Sequence, residues 1–352
     1  MAELLRHFRF PILFALVCLA LGAWYGWAQS GTLAGMVEVL WIVAVLSVLE
    51  ISLSFDNAVV NATVLQEMDP IWQKRFLTWG MVIAVYGMYI VFPLAIVAIA
   101  AGLGPIETVR LSLTDPAAYE HIVSSAHTGI AGFGGAFLGL VGLKFFFDKE
   151  KEVHWIAVVE DWASRFSVPA LEVVVVLLAL WLVSSVLPQP EALKLLTAGL
   201  FGVIAFVLVE GVGEVLSHRD ERLRAAGSVV KRGLGGFIYL NVLDASFSFD
   251  GVIGAFALSN NMVVIALGLS TGAMFVRALT VLLVKKGTLA EYRYLEHGAF
   301  WAILALSAIM LASARYEVPE TLTGLIGATL IAGALWWSAR YRRRNRPALA
   351  PA

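Results

Sequence analysis

The sequence predicts an all-α, polytopic transmembrane helical bundle of about ten spans, containing two inverted three-helix repeats. Three observations lead there. Of the 352 residues, 60% are hydrophobic and 14% are Asp, Glu, Lys or Arg, with a mean hydropathy of +0.82. Soluble domains carry about 25% charged residues. Apolar runs long enough for a bilayer recur along the whole chain. One polar motif appears twice inside those runs.

The runs lie near 10–28, 36–64, 76–101, 127–147, 169–187, 194–216, 235–259, 262–284, 297–313 and 321–339. Arg6 and Arg9 precede the first, as in a secretory signal. That run exceeds an ordinary signal core and "WYGWAQS" has no small-residue cleavage pattern, so a retained span is expected. The second run is too long for one straight crossing, and "SLSFDN" within it supplies polar groups able to interrupt a helix. Alternating the connections of ten spans puts 20 of the 25 Lys and Arg residues on one side together with both termini. The positive-inside rule makes that side cytoplasmic. The tail "ARYRRRNRP" fits a stop-transfer flank or a contact with anionic lipid, and no nucleic-acid partner is expected. The sole cysteine, Cys18, excludes internal disulfides and a Cys-rich metal site.

The repeat is carried by "EISLSFDNAVV" (Glu50–Val60) and "DASFSFDGVIG" (Asp244–Gly254). At an offset of 194, Glu50 matches Asp244, Ser52 matches Ser246, Ser54 matches Ser248, Phe55 matches Phe249 and Asp56 matches Asp250. The copies open at spans two and seven, an odd separation, so they run in opposite directions. Inverted repeats are a feature of secondary transporters, whose sites lie near the bilayer midplane between the repeats. Inversion brings Glu50 to the depth of Asp250 and Asp56 to that of Asp244. Residues six apart on a straight helix are separated by about 9 Å. Either the motif helices are discontinuous, or the acids form two tiers. The expected organisation is a first transmembrane segment and link (1–32), repeat one (33–147), connecting spans and cytoplasmic segments (148–233), repeat two (234–313), and a last span with a basic tail (314–352).

An ionised acid at bilayer depth costs about 2.5–3.5 kcal/mol on the insertion scale, so such residues face a polar pathway and a partner. Glu50, Asp56, Asp244 and Asp250 are the expected metal ligands, against only Lys144 and Arg277 within spans. Asn57, Asn61, Ser54, Ser248, Glu210 and Arg277 are further candidates: the amides and hydroxyls as oxygen donors or helix bridges, Glu210 as a path residue, Arg277 as a partner for an acid. Hard oxygen donors suit Mn2+, Mg2+ or Ca2+. His127 reads as a hydrogen-bonded helix-end residue, "GIAGFGGAFLGLVG" as a close-packing face, and "EKEVHWIAVVED" as a solvated helix face. No HExxH, GxSxG or GxxxxGK[ST] pattern is present, so no enzyme activity and no organic cofactor are expected.

The segments "LEISLSFDNAVVNA" (49–62), "GMYIVFPL" (87–94), "FGGAFLGLVGLKFFFD" (133–148), "EKEVHW" (150–155), "YLNVLDASFSFDGVIGAFALSNN" (239–261), "GAMFVRALTVLLVKKGTL" (272–289) and "EYRYLEHGAFWA" (291–302) resemble the TerC family of integral membrane proteins, and within it a TerC-like branch of unknown function. The resemblance implies a cation-exporter-like inverted-repeat fold in a bacterial inner (plasma) membrane. It implies metal-ion transport, with manganese efflux coupled to protons as the leading expectation and Ca2+ or Mg2+ as alternative cargo. The expected partners are the cation, protons and lipid. The alternative is a non-transporting scaffold that delivers metal to exported proteins or serves metal and tellurite stress. Two positions depart from related sequences: Asn241 stands where Glu is frequent, and Tyr89 where Arg is frequent.

Overall fold

The computed structural model describes residues 2–66, 68–80, 82–148, 153–165, 170–224, 233–259, 261–286, 292–316 and 318–344, and among these it is all-helical. The helices are α1 (Ala2–Ser30), α2 (Leu33–Leu53), α3 (Phe55–Gln66), α4 (Pro70–Arg75), α5 (Phe92–Ala101), α6 (Pro105–Thr114), α7 (Pro116–Ser125) and α8 (His127–Phe147), followed by α9 (Ala157–Arg165), α10 (Leu171–Ser185), α11 (Gln189–Arg224), α12 (Leu234–Leu258), α13 (Met262–Lys286), α14 (Leu295–Ser313) and α15 (Glu320–Arg344). Two π-helical stretches, Phe76–Gly80 and Ile83–Val91, lead into α5.

Among the described residues, seven helices are long and apolar enough to cross a membrane: Phe8–Ser30, Leu33–Leu53, His127–Phe147, Gln189–Gly211, Met262–Val284, Leu295–Ser313 and Leu322–Arg344. The other three expected spans are also helical. Leu171–Ser185 is apolar but has only 15 residues. The run near 76–101 is divided between π turns and α5. The run near 235–259 is α12. The sequence pattern left 102–126 as a link, whereas the structure forms α6 and α7 there. Each opens with proline in its first turn, and Asp115 accepts from the Ala118 N–H at 3.1 Å to start α7.

Only the first motif helix is interrupted. Ser54 separates α2 from α3 with φ −95°, ψ 15°. Of the two alternatives, discontinuous motif helices hold for the first motif only, and for the second this is corrected, because α12 runs unbroken through it. The hydroxyls differ at one matched pair, Ser54 and Ser248. Ser52, Ser246 and Ser248 each donate to the carbonyl four residues back, at 2.8–2.9 Å. Ser54 donates instead to the Glu50 carboxylate at 2.5 Å.

α8 is the hub, with α11, α14, α10 and α12 around it. Its glycines permit this, as expected: a Cβ on Gly132 would lie 2.6 Å from the Leu195 carbonyl oxygen. α1 packs along α2 and α13, and Asn261 Nδ2 donates to the Tyr25 hydroxyl at 2.7 Å. The repeats interlock reciprocally. α2, the motif helix of the first, lies along α13, the second helix of the other; α12 lies against Ile83–Val91. This crossing places the two motifs side by side at the centre of the bundle.

Candidate functional site

α2 approaches α13 closely because Gly268 and Gly272 form a small-residue ridge at the GxxxG spacing. Cβ atoms on them would lie 2.5 Å from Leu46 Cβ and Glu50 Cβ. Ser47 reinforces the contact by donating to the Gly268 carbonyl at 3.1 Å. Gly272 therefore holds Glu50 in position. Gly272→Val is expected to lower stability by about 1–3 kcal/mol through overpacking, read as earlier thermal unfolding in detergent.

Glu50 is 2% exposed and Asp244 9% exposed. Glu50 Oε1 accepts from Ser54 Oγ and from the Tyr89 hydroxyl at 2.8 Å. Asp244 Oδ1 accepts from Asn57 Nδ2 at 2.7 Å and Asn61 Nδ2 at 3.1 Å. Glu50 Oε2 and Asn61 Oδ1 are buried with no hydrogen-bond partner among the described residues. Both carboxylates, both asparagines, Tyr89 and Ser248 line one cleft. A lone carboxylate oxygen and a lone amide oxygen in an apolar bundle are costly unless something electropositive meets them.

The depths follow the inverted register. Gly251, next to Asp250, is the neighbour of Glu50 Oε2, and Asn57, next to Asp56, is the donor to Asp244. The side chains of Asp56 and Asp250 lie outside the described residues. Of the four expected metal ligands, Glu50 and Asp244 thus share one cleft. Among the described residues no group of three or more His, Cys, Asp or Glu side chains is placed to hold a metal. The cleft's oxygen donors beyond the two acids are amides and hydroxyls, a hard set suited to a divalent cation.

Two other candidates are engaged by groups other than the site acids. Glu210 pairs with Lys144 across α11 and α8 and lines neither this cleft nor a neighbouring one that also reaches Glu50. Arg277 lines the cleft, yet its guanidinium donates to the Leu77 carbonyl, and no ion pair with an acid forms among the described residues. Leu77 lies in the π-helical stretch Phe76–Gly80. Asn241 donates to the Phe237 carbonyl at 2.7 Å, within its own helix. His127 Nε2 lies 3.4 Å from Ser313 Oγ at a helix end, in keeping with its expected role.

A second buried acid escaped the sequence reading. Glu160, on α9, is 1% exposed rather than solvated. Its Oε2 lies 2.8 Å from His297 Nδ1 and accepts from the Trp155 N–H at 3.1 Å. Its Oε1 accepts from Trp301 Nε1 at 3.0 Å and the Ile156 N–H at 3.2 Å. Burial pushes the carboxyl up, but the hydrogen bonds from His297 and Trp301, the His297 charge and the Ile156 N–H outweigh it and hold the group at about 2. His297 and Trp301 stand four apart on one face of α14, so "EHGAFWA" carried the signal.

These features define a multi-pass membrane protein with a buried carboxylate–amide centre between crossing helices. The chain matches the family described as "Protein of unknown function (DUF475)" over residues 55–345, and it belongs to that family. No curated protein and no solved structure matches it.

Proposed function

We propose that the protein is a secondary transporter of divalent metal cations, with Mn2+ as the leading cargo and proton antiport as the coupling. The observation that supports it most is that Glu50, Asp244 and Asn61 line one intramembrane cleft, with one buried oxygen of Glu50 and one of Asn61 lacking a hydrogen-bond partner among the described residues. The resemblance of both motifs to the TerC family supports the same reading. In it the cation, as substrate, exchanges its hydration shell for Glu50, Asp244, the Asn57 and Asn61 amides and nearby hydroxyls. The repeated motif adds Asp56 and Asp250 to the acids assigned to the cation on this reading. The two repeats then rock around that centre, opening it to one side at a time. Both termini face the cytoplasm of a bacterial inner membrane on this reading, from the Lys and Arg distribution.

The test is purified protein in sealed liposomes enclosing a divalent-sensitive dye, with and without a pH gradient. Mn2+ entry above protein-free liposomes, altered by the gradient, is the expected result. Absence of flux for Mn2+, Ca2+ and Mg2+ in well-inserted protein would reject transport and favour a scaffold. Tyr89→Phe provides a finer check. It leaves Glu50 Oε1 with Ser54 alone. Removing such a supporting donor is expected to weaken Mn2+ binding about tenfold by titration calorimetry.

A further inference from the structure

Glu50 has two faces. Oε1 takes the Ser54 and Tyr89 bonds, and Tyr89 lines the Asp244 cleft. Oε2 lies on the Gly251 side, 3.1 Å from where a Cβ on that residue would stand. Gly251 lines a different, narrow cleft with room for about one water. Its walls come from α2, α12, α14 and α15, among them Leu53, Ala302, Leu306, Thr323 and Gly324. Glu50 and Ser54 are the residues common to both clefts. They stand where the first motif helix is interrupted, so the break sits at the junction.

We infer that this second cleft is a passage by which the cation reaches or leaves Glu50 from the face opposite Asp244, with the last helix, α15, as its outer wall. The inference rests on the transport reading and extends it, since α15 lies outside both repeats. A mere packing flaw is apolar throughout and leaves no polar atom in need. Here the cleft reaches Glu50, whose buried Oε2 has no hydrogen-bond partner among the described residues. Apart from Glu50, the named walls offer only the Ser54 and Thr323 hydroxyls as polar side chains. Such a lining binds a cation weakly and suits transit, and an apolar stretch of this kind gates by losing its water. The Asp244 cleft, with its acid and amides, suits residence. Small residues keep the wall close without filling it: a Cβ on Gly324 would stand 3.2 Å from Leu53 Cδ2.

The test uses single cysteines in a Cys18→Ser background, since Cys18 is the only native cysteine. Thr323→Cys probes α15 and Ala302→Cys probes α14, so failure of one variant to fold leaves the other. Leu325→Cys, 64% exposed on the outer face of α15, is the control. Each protein is treated with a cationic methanethiosulfonate in liposomes, and Mn2+ flux is read before and after. Labelling at 323 or 302 that is slowed by Mn2+ and lowers flux at least about tenfold, with flux of the 325 variant unchanged, is the expected result. Thiols that stay unlabelled, or label without altering flux, overturn the passage while leaving transport through the Asp244 cleft intact. Absence of flux in the Cys18→Ser parent and in wild type rejects the transport reading instead. Labelling at 323 and 302 then still decides whether water and cations enter the cleft, and protection of both thiols would overturn that as well.

Discussion

Asp244→Asn and Glu50→Gln are each expected to lower Mn2+ flux at least about 100-fold while the protein still inserts and folds. The magnitude follows from loss of a ligand charge, since groups that merely support a ligand already contribute 10–100-fold in metal affinity. Folding is preserved because the hydrogen bonds survive the change. Asn57 and Asn61 donate to one oxygen of Asp244, and an amide oxygen in that place still accepts both. Ser54 and Tyr89 likewise donate to one oxygen of Glu50, leaving the other position free for a glutamine NH2. A structural role for these acids would give the opposite pattern, with stability falling and residual flux per folded molecule unchanged. Flux normalised to inserted protein, together with a melting curve in detergent, separates the two.

Glu160→Gln is expected to cost about 2–4 kcal/mol and to detach α9 from α14. Both Glu160 oxygens face donors: Trp301 Nε1–H and the Ile156 N–H on one, the Trp155 N–H and His297 Nδ1 on the other. A glutamine NH2 therefore meets donors on whichever side it points and leaves buried groups unsatisfied, at about 1–3 kcal/mol each. The carboxyl is held at about 2, below its ordinary 4.5. A depressed acid contributes stability that is fully present above its ordinary value and is lost as pH falls through the folded one. Wild-type protein should thus lose this contribution between about pH 4.5 and 2, and Glu160→Gln should lose nothing there from this position. Hydrogen exchange across 153–165 as a function of pH reads both effects. Unchanged protection in the variant at neutral pH would show that the anchor is unimportant.

Much of the fold was legible because a bilayer imposes strong rules. Apolar runs of span length became helices, and the doubled Ser-x-Ser-Phe-Asp motif placed the two acidic segments in one centre. The inverted register also placed Glu50 beside Gly251 and Asp244 beside Asn57, pairings no local pattern supplies. What stayed hidden depends on partners distant in sequence. Nothing near Glu50 announces that Tyr89, 39 residues on, donates to it. Glu160 looked solvated because it sits in an acidic, partly amphipathic segment, while the side chains that bond it lie 137 and 141 residues away. The unbroken course of α12 was not marked by the shared motif, since Ser52 and Ser246 make the same bond in the two copies. Arg277 was expected to seek an acid, but a backbone carbonyl in a π turn is nearer. α15 had no polar motif to mark it, and its place against Glu50 follows only from packing.

The central claim is that Glu50 and Asp244 form one cation site used for transport. The most direct measurement is dye-reported Mn2+ flux in sealed liposomes, comparing wild type with Glu50→Gln, Asp244→Asn and the double variant at equal insertion. Robust wild-type flux, lost in each single variant and no further reduced in the double, is the expected result, because residues that act as one site do not add. Wild-type flux that persists in the double variant would contradict it.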